Sequence, residues 1–430
     1  MASGSIRHQP PAPVATLGPS APAPARQSPP LRIRAARRAE VAQVNQLRAR
    51  SFNLPLDTWP AADRITAEEL RGMRVLARDG RILSCLTVER RAIRLARARL
   101  PMGGIRHVAS LPEERNQGYA SALMRGTLHW MRAEGLPVSI LFPTSFGFYR
   151  NFGYELGGNH CEVWARPASL PAFEEARWCR PAGLADVDTL QRLFESRSAV
   201  CACTPERSAS LWQKLLAQPD RRAILFENEA PAGYLLATET LDRYGAPVTR
   251  VHELLAVHEE ARRGLLGWLA RCTSESIEWS ASTTDLMQSG LLHSPALLRE
   301  GFRPRVIVTV RPMFQFRVVD LTAALRARAP AWSNLTLELS LQVHDEIIRE
   351  NEIPIALSAR DGTVQLVSGH CTAHCLAADI RVFSQIYCGY MAPSEAASQG
   401  LLLQGSPEAV RDADFLFPRL EPFIPDLDRF

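Results

Sequence analysis

Two short stretches carry side chains whose types and spacing suit chemistry. In "RNQGYA", Arg115 to Ala120, a glycine-bearing turn opens a helix-like run. The first amides of a helix have no intrahelical partners, so such a turn can hold an anion, and Gly118 lets the backbone approach it closely. The same spacing also serves an ordinary strand–turn–helix whose glycine only eases the bend. In "GFYRNFGYE", residues 147–155, Tyr149 and Tyr154 follow the strand-like "VSILF". Either is a phenol able to donate a proton or a core aromatic bonded to a carbonyl, and Tyr154, after a glycine, reads as the packing one. Phe52 and Trp59 of "SFNLPLDTW" could wall a pocket for a cationic acceptor, or simply pack. "GHCTAHC" sets His370, Cys371, His374 and Cys375 at spacings open to zinc. No second cysteine pair completes a tetrahedral set, so no metal is expected.

Three blocks of elements must position these residues. The first, 31–168, reads as the strand "LRIRAA", the helix "EVAQVNQLRARSF" and a hairpin turning at "RDGR". A strand over 105–110 then leads through the turn to a helix with Ala120, Leu123, Met124, Thr127 and Met131 on one face, stopped by Gly135. A strand over 138–142 precedes the tyrosine motif. After a proline-containing linker, residues 174–315 run through the same kinds of element, which suggests a weak internal repeat. Its turn keeps Arg262 or Arg263 and Gly264, but its counterpart of the tyrosine motif, "LLREGFRP", has no tyrosine. The last block, 316–430, alternates in "LTLELSLQV" and "IPIALSARDGTVQLV" and then reads as one long helix from Ala377 to Leu402. The fold class is α/β (α+β).

Composition narrows the function classes. Of 50 basic and 45 acidic side chains, residues 1–40 hold six arginines and Glu40, which leaves 44 of each sign in the other 390 residues. A neutral body removes the main electrostatic argument for a nucleic-acid partner. Residues 1–30, rich in proline and alanine, read as a disordered tail. No apolar run is long enough for a membrane span and no secretory h-region is present, so a cytoplasmic protein with reduced cysteines and no membrane partner is expected. Lys214 is the only lysine.

The stretch "HVASLPEERNQGYASALM" resembles the acetyl-CoA pyrophosphate motif of the GNAT acetyltransferases, with Arg115, Gly118 and Ala120 at its key positions. "FYRNFGYE" resembles the aromatic segment that follows the next strand in those enzymes. With the repeat and the last block, the whole resembles the Eis (enhanced intracellular survival) family: a GNAT domain, a degenerate GNAT domain and a sterol-carrier-protein-like domain. The resemblance implies acetyl transfer from acetyl-CoA, the cosubstrate, to an amine of an aminoglycoside, polyamine or lysine-like compound, by a homo-hexamer. It implies that Arg115, Asn116, Gln117, Gly118, Tyr119 and Ala120 hold the pyrophosphate. Val108 and Ser110 would offer backbone amides to the thioester arm, with Thr144 beside it. Tyr149 would protonate the leaving thiolate. The chain ends on Phe430, whose α-carboxylate would take the acceptor's proton, with Asp426 and Asp428 adding negative charge nearby. The rival expectation is an apolar-ligand or lipid-binding protein with an inactive GNAT scaffold.

Overall fold

A computed structural model describes residues 30–198, 201–282 and 306–430. The proline- and alanine-rich tail, up to residue 29, and "LLREGFRP" lie outside the described residues. The first unit contains strands β1 (Arg32–Ala35), β2 (Met73–Arg78), β3 (Arg81–Leu95), β4 (Ala98–Ser110), β5 (Val138–Leu141) and β6 (Glu155–Ala165). Its helices are α1 (Val41–Phe52), α2 (Ala67–Gly72), α3 (Tyr119–Ala133) and α4 (Phe146–Arg150). The β2–β3 hairpin turns at Asp79 and Gly80, both with positive φ, as a tight two-residue turn requires. Helix α3 buries Leu123, Met124, Thr127 and Met131 of the expected face, together with Leu128, against the sheet, while Ala120 is half-buried.

The second unit contains β7 (Cys179–Pro181), β8 (Ala202–Pro205), β9 (Arg221–Glu227), β10 (Pro231–Leu241), β11 (Pro247–Ala256), β12 (Ser276–Ala281) and β13 (Val306–Val318). Its helices are α5 (Val187–Ser198), α6 (Ala209–Leu216) and α7 (Glu259–Leu269). The stretch before it is no slack linker. Ala176 is buried, and Gly264 and Gly267 of α7 lie so close to residues 173–176 that a Cβ on Gly267 would stand 2.7 Å from the Phe173 carbonyl oxygen.

The two units exchange strands. The order β1-β2-β3-β4-β5-β13-β6-β12-β11-β10-β9-β7 is one continuous sheet, with β8 added to the far end of β3. Strand β13 lies between β5 and β6 of the first unit, and β6 lies between β13 and β12 of the second. Each unit thus completes its sheet with a strand from the other.

The third unit carries a five-stranded sheet, β16-β15-β14-β17-β18, built from β14 (Leu337–His344), β15 (Ile355–Arg360), β16 (Thr363–Ser368), β17 (Cys375–Asp379) and β18 (Leu402–Gly405). The single long helix read from Ala377 to Leu402 is instead the end of β17 and helices Ile380–Cys388 and Pro393–Ser398. Asp379 caps the first, Gly389 at φ 81° ends it, and Pro393 starts the second. Buried Arg317 of β13 pairs with Asp345 at 2.8 Å and donates to the Phe152 carbonyl, which ties this unit to the base of the tyrosine motif. Gly153, at φ 77°, is held to glycine twice, since a Cβ there would collide with that guanidinium.

Candidate active site

Strands β4 and β5 run parallel and stay paired only from Met102–Val138 to Ile105–Leu141; β4 then continues alone to Ser110. The ladder between β3 and β4 slips at His107 and Val108, where His107 takes φ 56°. Such a bulge bends the strand and takes backbone out of the ladder. The result is a fork between two strands, open beyond Leu141.

A cavity of about 470 Å³ lies along the free arm of β4. Its wall includes Val108, Ser110, Arg115 to Ala120, Phe52 and Phe148, so eight of the nine residues expected around the cosubstrate line one space. Thr144 is not among them; it is exposed in the bend between β5 and α4. Asn116 and Gly118 take positive φ, the backbone form that can turn successive amides toward one point. A Cβ on Gly118 would meet nothing within 4 Å, and the first turn of α3 contains no acid.

The electrostatics of the turn favour an anion. Glu113 pairs with Arg50 at 2.9 Å and Arg81 at 3.2 Å, and Glu114 pairs with Arg81. Exposed Arg115 has no ion pair among the described residues and adds its charge to the positive end of α3. Arg78, which the sequence did not single out, donates to the Tyr119 hydroxyl at 3.1 Å and orients it at the cavity. Nothing local marks Arg78, because its partner is 41 residues away.

The two tyrosines separate cleanly. Tyr154 is fully buried and its hydroxyl is bonded to Ser139 Oγ at 2.7 Å, which in turn donates to the Gly103 carbonyl. Tyr149, on α4 beside cavity-lining Phe148, is buried too, yet its hydroxyl has no hydrogen-bond partner among the described residues. Burial pushes the Tyr149 phenol up to about 12, so it stays protonated through the neutral range.

Phe52, Trp59 and His107 form one cluster at the bulge. The Trp59 and His107 rings meet edge-on at 4.9 Å, and Phe52 lies 6.0 Å from Trp59. The Arg48 guanidinium stands over Trp59 at 5.4 Å, so the chain's own cation already uses that ring, which is buried. Burial and the neighbouring Arg48 and Arg106 push His107 down to about 4.

The chain end reaches the fork. The Phe430 ring packs on Gly104 of β4, where a Cβ would lie 2.4 Å from a ring carbon, and meets Phe142 edge-on at 5.2 Å. Asp426 and Asp428 do not add free negative charge there. Asp428 is fully buried against Arg207 at 2.8 Å, and Asp426 pairs with Arg429.

The second unit departs from this plan. Arg262, Arg263 and Gly264 lie inside α7 and not in a turn before it; Arg262 pairs with Glu259 and Arg263 with Glu175. Among the described residues, no group of three or more His, Cys, Asp or Glu side chains is arranged to hold a metal; His374 instead pairs with Asp412. No helix among them is long and apolar enough to cross a membrane.

Residues 32–157 and 203–318 each match an acetyltransferase (GNAT) domain family, and residues 321–425 match a sterol carrier protein domain family. No curated protein matches the chain. Among solved structures, a GCN5-related N-acetyltransferase from Anabaena variabilis aligns with a TM-score of 0.77 at 21% identity, and one from Kribbella flavida with 0.75 at 24%. Eis1 from Mycobacterium abscessus aligns with 0.72 at 21%. Each alignment covers 93% of this chain and 100% of the other, and at such identity what is shared is the fold.

Proposed function

We propose, from the premise that this chain is a GNAT acetyltransferase with two GNAT domains and a C-terminal sterol carrier protein domain, that it acetylates an amine of an aminoglycoside, polyamine or lysine-like compound. The observation that carries the reading is the cavity joining the β4 bulge to the amide-rich turn at Arg115 to Ala120, with Tyr149 next to its wall. Acetyl-CoA supplies a thioester whose acyl carbon bonds the amine nitrogen as the carbon–sulfur bond breaks.

Arg115 and the amides of Asn116 to Ala120 hold the pyrophosphate by charge and by the positive end of α3. Val108 and Ser110 present backbone amides to the thioester arm, and Thr144 stands at its far side. Phe52 and the edge of Trp59 border the acceptor. Tyr149 donates to the sulfur as charge develops on it. A phenol at about 12 lies roughly 3.5 units above a thiol of reference pKa about 8.5, so donation, with the proton following late, is its way of acting. The Phe430 carboxylate takes the proton that the acceptor ammonium must shed before its free amine attacks, directly or through one water.

The rival reading, a lipid carrier, needs room in the third unit. Its interior is filled by Trp332, Phe383, Tyr387 and Phe417 around the buried Arg328 guanidinium, which donates to the carbonyls of Tyr387 and Leu416. No disulfide joins the cysteines among the described residues, which suits a reducing cytoplasm. A hexamer, on the Eis resemblance, would scatter light as about six chains of 47.7 kDa.

The test is thiol release from acetyl-CoA with a panel of aminoglycosides, polyamines and lysine derivatives. Turnover with at least one amine is expected. No turnover with any, alongside tight binding of an apolar ligand, would overturn the reading. Deleting Phe430, or adding a short C-terminal tag, is expected to lower kcat severely while acetyl-CoA binding survives. Wild-type kcat and KM in both variants would remove the carboxylate from the mechanism.

A further inference from the structure

The last residues cross both GNAT units. Pro422 pairs with Ala202 in an isolated bridge, and the Phe423 amide donates to the Ala202 carbonyl at 3.0 Å. Phe423 then lines a small cavity at the fork of the second unit, where β11 and β12 part after Val251–Trp279. Five residues on, Asp428 meets Arg207, and two further on Phe430 packs at the fork of the first unit.

Arg207 is the anchor of this path. Its guanidinium is fully buried and grips both Asp428 oxygens at 2.8 to 3.2 Å. It also binds Glu253 of β11, which accepts from the Tyr234 hydroxyl, and it lies over the rings of Phe194 at 4.0 Å and Trp212 at 4.8 Å. A buried guanidinium is costly unless paired, and the tail supplies one of the two carboxylates that hold this one. Arg91 of β3 adds a second tie: it donates to the Asp428 carbonyl at 2.9 Å and stands over the Phe430 ring at 5.2 Å.

We propose that Arg207 of the second unit, through Asp428, is a positioning residue that fixes Phe430 at the fork of the first unit, so that the second GNAT unit serves the reaction by holding the tail. The assignment rests on the reading of the Phe430 carboxylate given above. Its physical basis is entropy: a terminus free to fray spends little time at one point, whereas a buried ion pair two residues from the end restricts the carboxylate to a small volume.

The experiment compares wild type with Asp428→Ala, which leaves Arg207 and Glu253 as a balanced pair, and with Arg91→Gln, a half-buried change that empties no core. Carboxypeptidase A, which removes C-terminal aromatic residues, is added to the native full chain, and loss of Phe430 is followed by intact mass. Release on the order of tenfold faster is expected in Asp428→Ala, with a smaller rise in Arg91→Gln. With the undigested variants, kcat should fall in the same order while KM for acetyl-CoA stays at the wild-type value, a split that general loosening of the fold would not produce. Unchanged release in both variants would overturn the clamp, whatever deletion of Phe430 does. Faster release with unchanged kcat would overturn the role of the carboxylate in the reaction and, with it, the positioning role.

Discussion

The two GNAT units share a fork and differ in what stands at its edge. In both, the strand that runs into the fork is bulged at a histidine: His107 slips the ladder of β3 and β4, and His252 that of β10 and β11. In both, the parallel partner strand ends its pairing there and a helix follows. The first helix starts from left-handed Gly118, with no acid in its first turn and, before it, Arg115 without an ion pair among the described residues. The second starts from His258, whose Nδ1 accepts from the Ala261 amide, and carries Glu259 and Glu260 in its first turn. These carboxylates occupy the positive end of the dipole, where each is worth about 0.3–1 kcal/mol, and they repel a phosphate from it. The cavities differ accordingly, about 470 Å³ in the first unit and about 50 Å³ at the second fork, where Phe423 closes the space. The fork is thus a property of strand geometry, and an anion site is added or removed by a few residues at one helix start.

The largest effect on this contrast should come from Tyr149→Phe. Loss of a positioned donor is expected to lower kcat by about 10²–10⁴ with calorimetric acetyl-CoA affinity unchanged; wild-type kcat would return Tyr149 to the core aromatics.

Next in size is Gly118→Asp, which copies the second unit's acidic helix start into the first. Aspartate tolerates a φ of 75° better than most residues and meets no neighbour, so the fold should persist. Acetyl-CoA affinity should fall about 10- to 100-fold, and unchanged affinity in calorimetry would break the comparison.

A smaller change tests the reverse. Wild type should bind one acetyl-CoA per chain, and Glu259→Gln with Glu260→Gln should still bind one, because Phe423 continues to fill the second fork. A second equivalent in the double variant would show that charge alone closed that site.

The smallest effect concerns the bulge histidines. Burial lowers both His107 and His252 to about 4 from an ordinary 6.5, so between those values the unfolded chain binds protons that the folded chain refuses. Their contribution to stability is full above about pH 6.5 and is lost as pH falls toward 4. Urea midpoints should therefore drop from pH 7 to pH 4.5, and His107→Asn, which suits the left-handed bulge, should shrink the drop. An equal drop in that variant would place the acid sensitivity elsewhere.

Much of the first unit was legible because its signals are local. The "RDGR" turn, the α3 face and the turn at Gly118 each follow from residues within a few positions of one another. The third unit's helix was misread because its apolar run continues across the end of β17 and past Gly389, and burial on both sides hides the change of period. The second unit's turn was placed six residues late, at Gly264 where the helix is capped by His258, for a related reason. An Arg-Arg-Gly inside a helix looks like one before a helix until Gly264 is seen packing on residue 175.

What the sequence determined by itself is the set of parts. It specified alternating and helical periods, a turn able to bind an anion and two candidate tyrosines. Tertiary structure decided how those parts are used. It tied Tyr154 to Ser139 and left the Tyr149 hydroxyl without a partner among the described residues, exchanged β6 and β13 between units, and brought Asp428 to Arg207 across 221 residues. Pairings of that range leave no periodicity in the chain, because a buried ion pair or a shared strand is selected by the free energy of the whole packed state and not by the residues beside it.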